Sequence, residues 1–130
     1  MILEEGIVVR LMALPAVTAL IGTRLYPNVV PEEATEPVAA YQRISNPRLN
    51  AHDGPTGWAK GRIQFTAQAN TYLQAKAVAA AIAAAFDGFR GVMGTVAVHG
   101  ASAQNDQDGY NEATGRSTVR LDVLFFYKEG

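Results

Sequence analysis

The sequence contains no cysteine. Disulfide staples, thiolate nucleophiles and sulfur-ligated zinc sites are therefore excluded, and the redox compartment stays open. Charge is also scarce: 18% of residues are charged against 48% hydrophobic, leaner in charge and richer in apolar side chains than an ordinary soluble domain. An apolar excess of that kind predicts that another chain covers part of it. The 11 basic and 12 acidic residues are scattered and leave a formal net charge of -1. Composition thus gives no electrostatic footprint for nucleic acid or an anionic membrane. Long apolar runs are missing too. MILEEGIVVRLMALP carries Glu4, Glu5 and Arg10, which a signal-peptide core or a membrane span would not tolerate. The expectation is a soluble, unexported protein of one domain, residues 1–130, because this length fills one core and falls short of two.

What is present is periodic. Leu3, Ile7, Leu11 and Leu14 recur at spacings of four, four and three and line one face of a helix. Pro15 suits the first turn of a second short helix, AVTALIG, that stops at Gly22. The acidic PEEATEP stretch is read as surface, since Pro31 and Pro37 cannot donate to a central ladder. VAAYQRIS (Val38 to Ser45) is a candidate strand, and Arg62 to Ala69 alternates apolar and polar residues with the period of two of a sheet wet on one side. Asn46 to Gly61, full of turn formers, is read as a long hairpin connection. A helix follows over TYLQAKAVAAAIAAAF, capped by Asn70 or Thr71, with Tyr72, Ala75, Ala79, Ile82 and Phe86 as its core stripe. TVAVH (Thr95 to His99) is a short strand, the polar SAQNDQDGYNEATG separates it from the next, and Ser117 to Tyr127 is the strongest. There Val119, Leu121, Val123, Phe125 and Tyr127 share a face, while Leu124 and Phe126 make the opposite face apolar as well and call for cover on both sides. The expected fold is α+β: a mostly antiparallel sheet of about four strands with helices packed mainly on one face.

No constellation for catalysis emerges. His52 and Asp53 are adjacent, and neighbours on an extended chain point to opposite sides; they read as a solvated histidine and a turn former. His99 and Ser102 give GASAQ a passing likeness to a nucleophile elbow, but Gln104 replaces the closing glycine and no helix pattern follows. Asp106, Asp108 and Glu112 suggest a calcium loop, yet with Gly109 at its sixth position Gln104 falls in the first and Gly115 in the twelfth, where a glutamate belongs. GFRGVMG lacks a phosphate-binding pattern and reads as cap and turn. No catalytic, cofactor-binding or metal-ligating residues are assigned. Trp58, the single tryptophan, is either a hairpin anchor or an interface residue, and both readings stand.

Several stretches together carry a resemblance: LPAVTALIGTRLYP, YQRISNPR, DGPTGWAKGRIQF, AKAVAAAIAAAFDGFRG and DGYNEATGRSTVRLDVLFFYKE. The sequence resembles the tail-completion family of long-tailed phages, prophages and gene-transfer agents. That resemblance implies a structural virion protein, not an enzyme and without a cofactor. It would cap the tail tube as a ring, typically of six subunits, end tail elongation and form the joint to the head connector. Its implied partners are copies of itself, the tail tube protein and a head connector or neck protein. DNA would pass through the ring without sequence-specific binding, and no membrane is involved. Its implied place is the tail–neck junction of the virion, after assembly in the host cytoplasm. The regions that transfer are Asn46 to Gly61 and Asp106 to Gly115. The interface candidates are His52, Asp53, Trp58, Asp106, Asp108, Tyr110, Leu124 and Phe126. The alternatives are another neck component, such as a head-completion or connector protein, or a small ligand-binding or hydrolase domain.

Overall fold

The computed structural model describes residues 1–31, 35–112 and 115–129. In chain order it contains α1 (Leu3–Met12), α2 (Pro15–Ile21), β1 (Leu25–Pro27), β2 (Val38–Ser45), β3 (Arg48–Ala51), β4 (Gly54–Ala69), α3 (Tyr72–Phe86), β5 (Gly91–Met93), β6 (Val96–Asn111) and β7 (Arg116–Lys128). Glu32 to Ala34, in the acidic stretch read as surface, and Ala113–Thr114, in the last polar stretch, lie outside the described residues.

The fold corrects the four-strand expectation. Seven strands form a mixed sheet curved into a half-barrel with three short helices, and about half of the chain is strand. The order is β1-β2-β4-β7-β6-β5, with β3 also paired to β4. β1 runs parallel to β2, and the other pairs are antiparallel. An open four-strand sheet backed by helices does not describe this molecule, because pairing continues through segments that carry no apolar alternation.

Those segments explain the difference. β1 and β5 have three residues each, too few to show a period. The connection expected over Asn46 to Gly61 contains β3 and the first half of β4. The polar stretch expected to separate two strands is instead the distal half of β6, paired with β7 as far as Asn111↔Arg116. Residues 104–110 are all exposed, so backbone pairing and polar contacts hold them extended and no hydrophobic face is needed.

The periodic elements form as their residues dictate. α1 buries Leu3, Ile7 and Leu11 and places Glu4 and Glu5 in its first turn and Arg10 in its last, matching the helix dipole at both ends. α2 has Pro15 at its start and ends at Gly22, whose φ of 59° suits glycine. Thr71 caps α3, its Oγ1 accepting from the Gln74 backbone N–H at 3.2 Å. Ala75, Val78, Ala79, Ile82, Ala85 and Phe86 of α3 are buried, but Tyr72, expected in that stripe, is 46% exposed. Odd-numbered residues of β4 and β7, from Ala59 to Ala69 and from Val119 to Tyr127, face the core. Phe86 stacks on Phe65 at 5.5 Å and meets Phe125 edge-on at 5.1 Å, which ties α3 to the sheet's two central strands.

Candidate functional site

One hairpin projects past an end of the central strand pair, and a second closes one residue pair beyond the other end. β4 and β7 are in register from Trp58↔Lys128 to Ala69↔Ser117. Residues 54–57 of β4 run past the end of β7 and pair with β3, which places His52 and Asp53, both exposed, at the tip of that first hairpin. At the other end β6 and β7 pair as far as Asn111↔Arg116 and turn between them. At about 3.3 Å per residue, the 16 residues of β4 span roughly 50 Å.

The first hairpin is rooted by polar contacts that the chain termini supply. Arg48 Nε donates to Glu129 Oε1 at 2.7 Å and its Nη2 to Oε2 at 3.2 Å. This pair holds the Glu129 carboxyl below the usual carboxylate range. The Glu129 N–H donates to the Gly57 carbonyl at 2.7 Å. Thr56 Oγ1 donates to the Leu49 carbonyl at 2.8 Å. Beneath them, Tyr127 Oη donates to Asn46 Oδ1 at 2.8 Å, and Arg43 Nη2 donates to Glu4 Oε1 at 2.7 Å. Burial pushes the Tyr127 phenol's pKa up, which keeps it a donor.

Trp58 lies in β4 and packs at the hairpin's base on the sheet's second face. Its ring stacks on Phe126 of β7 at 5.1 Å and 24° and meets His99 of β6 edge-on at 5.7 Å. His99 also meets Phe126 edge-on at 5.4 Å, and Lys128 Nζ stands 5.7 Å from the Trp58 ring centre. The apolar second face of β7 is thus partly covered from within the chain: Leu124 and Phe126 are half-buried. Sequence reasoning missed His99's part. It belongs to this cluster because it alternates with the buried Val96 and Val98 and the β6–β7 pairing sets it beside Phe126.

Asp106, Asp108 and Tyr110 lie on the distal half of β6, far from His52 and Asp53. Asp108 Oδ1 accepts from Lys76 Nζ at 2.8 Å, and Oδ2 accepts from Tyr72 Oη at 2.9 Å. These contacts with α3, the Lys76 one foremost, hold the Asp108 carboxyl below its ordinary value. Tyr110 is 64% exposed. The eight interface candidates therefore form three groups: the hairpin tip, the aromatic cluster at its base, and distal β6 at the opposite end.

Ser102 Oγ accepts from Gln104 Nε2 at 2.6 Å, on a strand that continues without the turn an elbow requires. Among the described residues no three His, Asp or Glu side chains are placed to hold a metal ion, and no helix is long and apolar enough to cross a membrane.

The family model described as Tail completion protein gp17 matches residues 5–128. The chain belongs to that family. This tail completion protein is accordingly a phage tail structural protein. Its fold is similar to that of a chain in a structure titled "Virion of native gene transfer agent (GTA) particle", with a TM-score of 0.72 and 20% sequence identity. The likeness covers 97% of this tail completion protein and 94% of that chain, and at such low identity it is a likeness of fold. Among curated proteins none matches.

Proposed function

We propose that this tail completion protein is the terminator of the tail tube. Copies assemble as a ring of six on the end of the finished tube, stop its growth and present a surface to the head connector. The chain works as a structural part, not an enzyme, as one domain over residues 1–130. Its place is the tail–neck junction of the virion, reached after assembly in the host cytoplasm.

The observation that carries this reading is the pair of hairpins at opposite ends of one rigid strand pair. A terminator has to touch two different things, the tube on one side and the head connector on the other. Here a projecting hairpin at one end and the β6–β7 hairpin closing at the other, separated by roughly the length of β4, are joined by a continuous ladder. The first carries His52 and Asp53 and stands on Trp58 and Phe126; the second carries Asp106, Asp108 and Tyr110. The apolar excess of the sequence agrees with burial in an oligomer, and contacts between unlike surfaces close into a ring when the rotation permits.

Light scattering across a concentration series, with the protein alone and with short tail tubes, tests it. A closed hexamer, or a monomer that becomes a ring only on tubes, is the expected result. A monomer indifferent to tubes would overturn the terminator reading.

A further inference from the structure

Charge that is scattered along the sequence is gathered on one surface by the β4–β7 register. The even-numbered residues of the two strands share a face, in the pairs Trp58↔Lys128, Lys60↔Phe126, Arg62↔Leu124, Gln64↔Asp122, Thr66↔Arg120 and Gln68↔Thr118. Lys60, Arg62, Arg120 and Lys128 project from it against the single carboxylate of Asp122, although the whole chain carries more acidic than basic residues. Lys60, Arg120 and Lys128 are exposed and have no ion-pair partner among the described residues. Asp122 is shared between Arg62, at a long 3.8 Å, and the Gln64 amide at 3.3 Å.

The same face is concave at one end. A trough of about 700 Å³ is lined by Gln42, Gln64, Thr66, Gln68 and Arg120, together with Glu112 and Asp108, whose carboxylate is already paired with Lys76. Its floor offers amide and hydroxyl donors beside a guanidinium. At the other end Lys128 stands over Trp58, whose ring stacks on Phe126. From the Trp58↔Lys128 pair to the Thr66↔Arg120 pair the cations extend over eight residue steps, about 26 Å at the rise of a strand. A lone carboxylate or phosphate would occupy one point of such a strip. A repeating anion fits its length: duplex DNA presents one phosphate charge per about 1.7 Å of axis.

We infer that this face binds the phosphodiester backbone of a nucleic acid, without reading its sequence. Lys60, Arg62, Arg120 and Lys128 neutralise phosphates, and the trough's amides and hydroxyls hydrogen-bond to their oxygens. Contacts of this kind fix a duplex in place and carry no base information. The inference goes beyond the terminator reading and does not need a ring, since each copy carries the whole strip.

The test is fluorescence anisotropy of a labelled DNA duplex of arbitrary sequence, titrated with the purified protein over a series of salt concentrations. Four neutralised phosphates make binding fall about 150-fold over a fourfold rise in salt. Lys60→Gln, Arg120→Gln and Lys128→Gln each lower the salt slope by about one. Arg90→Gln, between α3 and β5 and outside the strip, leaves the slope unchanged. All four positions are at the surface, and circular dichroism confirms that each variant is folded. Absence of salt-dependent binding at low ionic strength would overturn the inference, as would equal losses in Arg90→Gln and in the variants of the strip. A protein inert to DNA whose strip variants fail to bind tail tubes would assign the face to an acidic protein partner instead. The mass measurement separates the two ideas: a ring that ignores DNA defeats only this one, and a DNA-binding monomer indifferent to tubes defeats only the terminator.

Discussion

Phe86 carries more of the core than its neighbours on α3. It sits between Phe65 and Phe125, with one ring stacked and the other edge-on, and has no exposed surface. Phe86→Ala removes both ring contacts and leaves a cavity, so a loss of about 3–5 kcal/mol is expected in urea denaturation. Gly61 has the opposite constraint. A Cβ added there would lie 2.9 Å from Leu3 Cδ2, 3.0 Å from Asn46 Oδ1 and 3.1 Å from Tyr127 Cε1. Gly61→Ala therefore overpacks the junction of α1, β4 and β7 and is expected to cost about 1–3 kcal/mol in the same measurement. Even rows of alternating residues in β4 and β7 made the core side readable from sequence. Gly61 did not stand out, because the crowding comes from three segments distant in the chain.

At the scale of elements, the distal half of β6 depends on α3. Asp108 is bonded to Lys76 and Tyr72, and its carboxyl titrates below its ordinary value in the folded chain. A depressed carboxylate stabilises above the ordinary range and loses that contribution as pH falls through the folded value. Hydrogen exchange of the residue 105–111 amides should therefore stay slow from neutral pH down to the ordinary carboxylate range and quicken, beyond the intrinsic pH effect, only below it. Asp108→Asn should exchange faster at neutral pH and lack that acid step; identical profiles would remove the clamp. At the other end, removing Asn50 to Thr56 and joining β3 directly to β4 spares the Trp58↔Lys128 pair. The shortened protein should fold and fail to cap tails, and normal virions would take that role from the hairpin. Elements with a buried face, α1, α2, α3, β2 and β7, were legible because burial imposes a period. β1 and β5 were too short for one, while β3 and distal β6 were wetted on most sides and needed none. The candidate site was legible as separate residues only: Trp58, Phe126 and His99 meet through the pairing register of three strands, which is not written locally.

For the molecule as a whole, the two hairpins cannot substitute for one another. Each stands at its own end of a ladder that runs from Trp58↔Lys128 to Ala69↔Ser117. Truncating the first hairpin and truncating the second should arrest assembly at different stages. Electron microscopy of lysates should show overlong tails for the variant that no longer holds the tube and capped, headless tails for the variant that no longer holds the head. The same particle in both lysates would count against a two-ended part. The antiparallel pairing of β4 with β7 has a mechanical consequence as well. Pulling the hairpin tips apart draws β4 toward one end and β7 toward the other, so the load slides one strand along its partner. Every rung of the ladder then resists at once, where peeling would break them singly. A joint loaded in that direction is held in shear, the orientation in which a β-ladder gives way last.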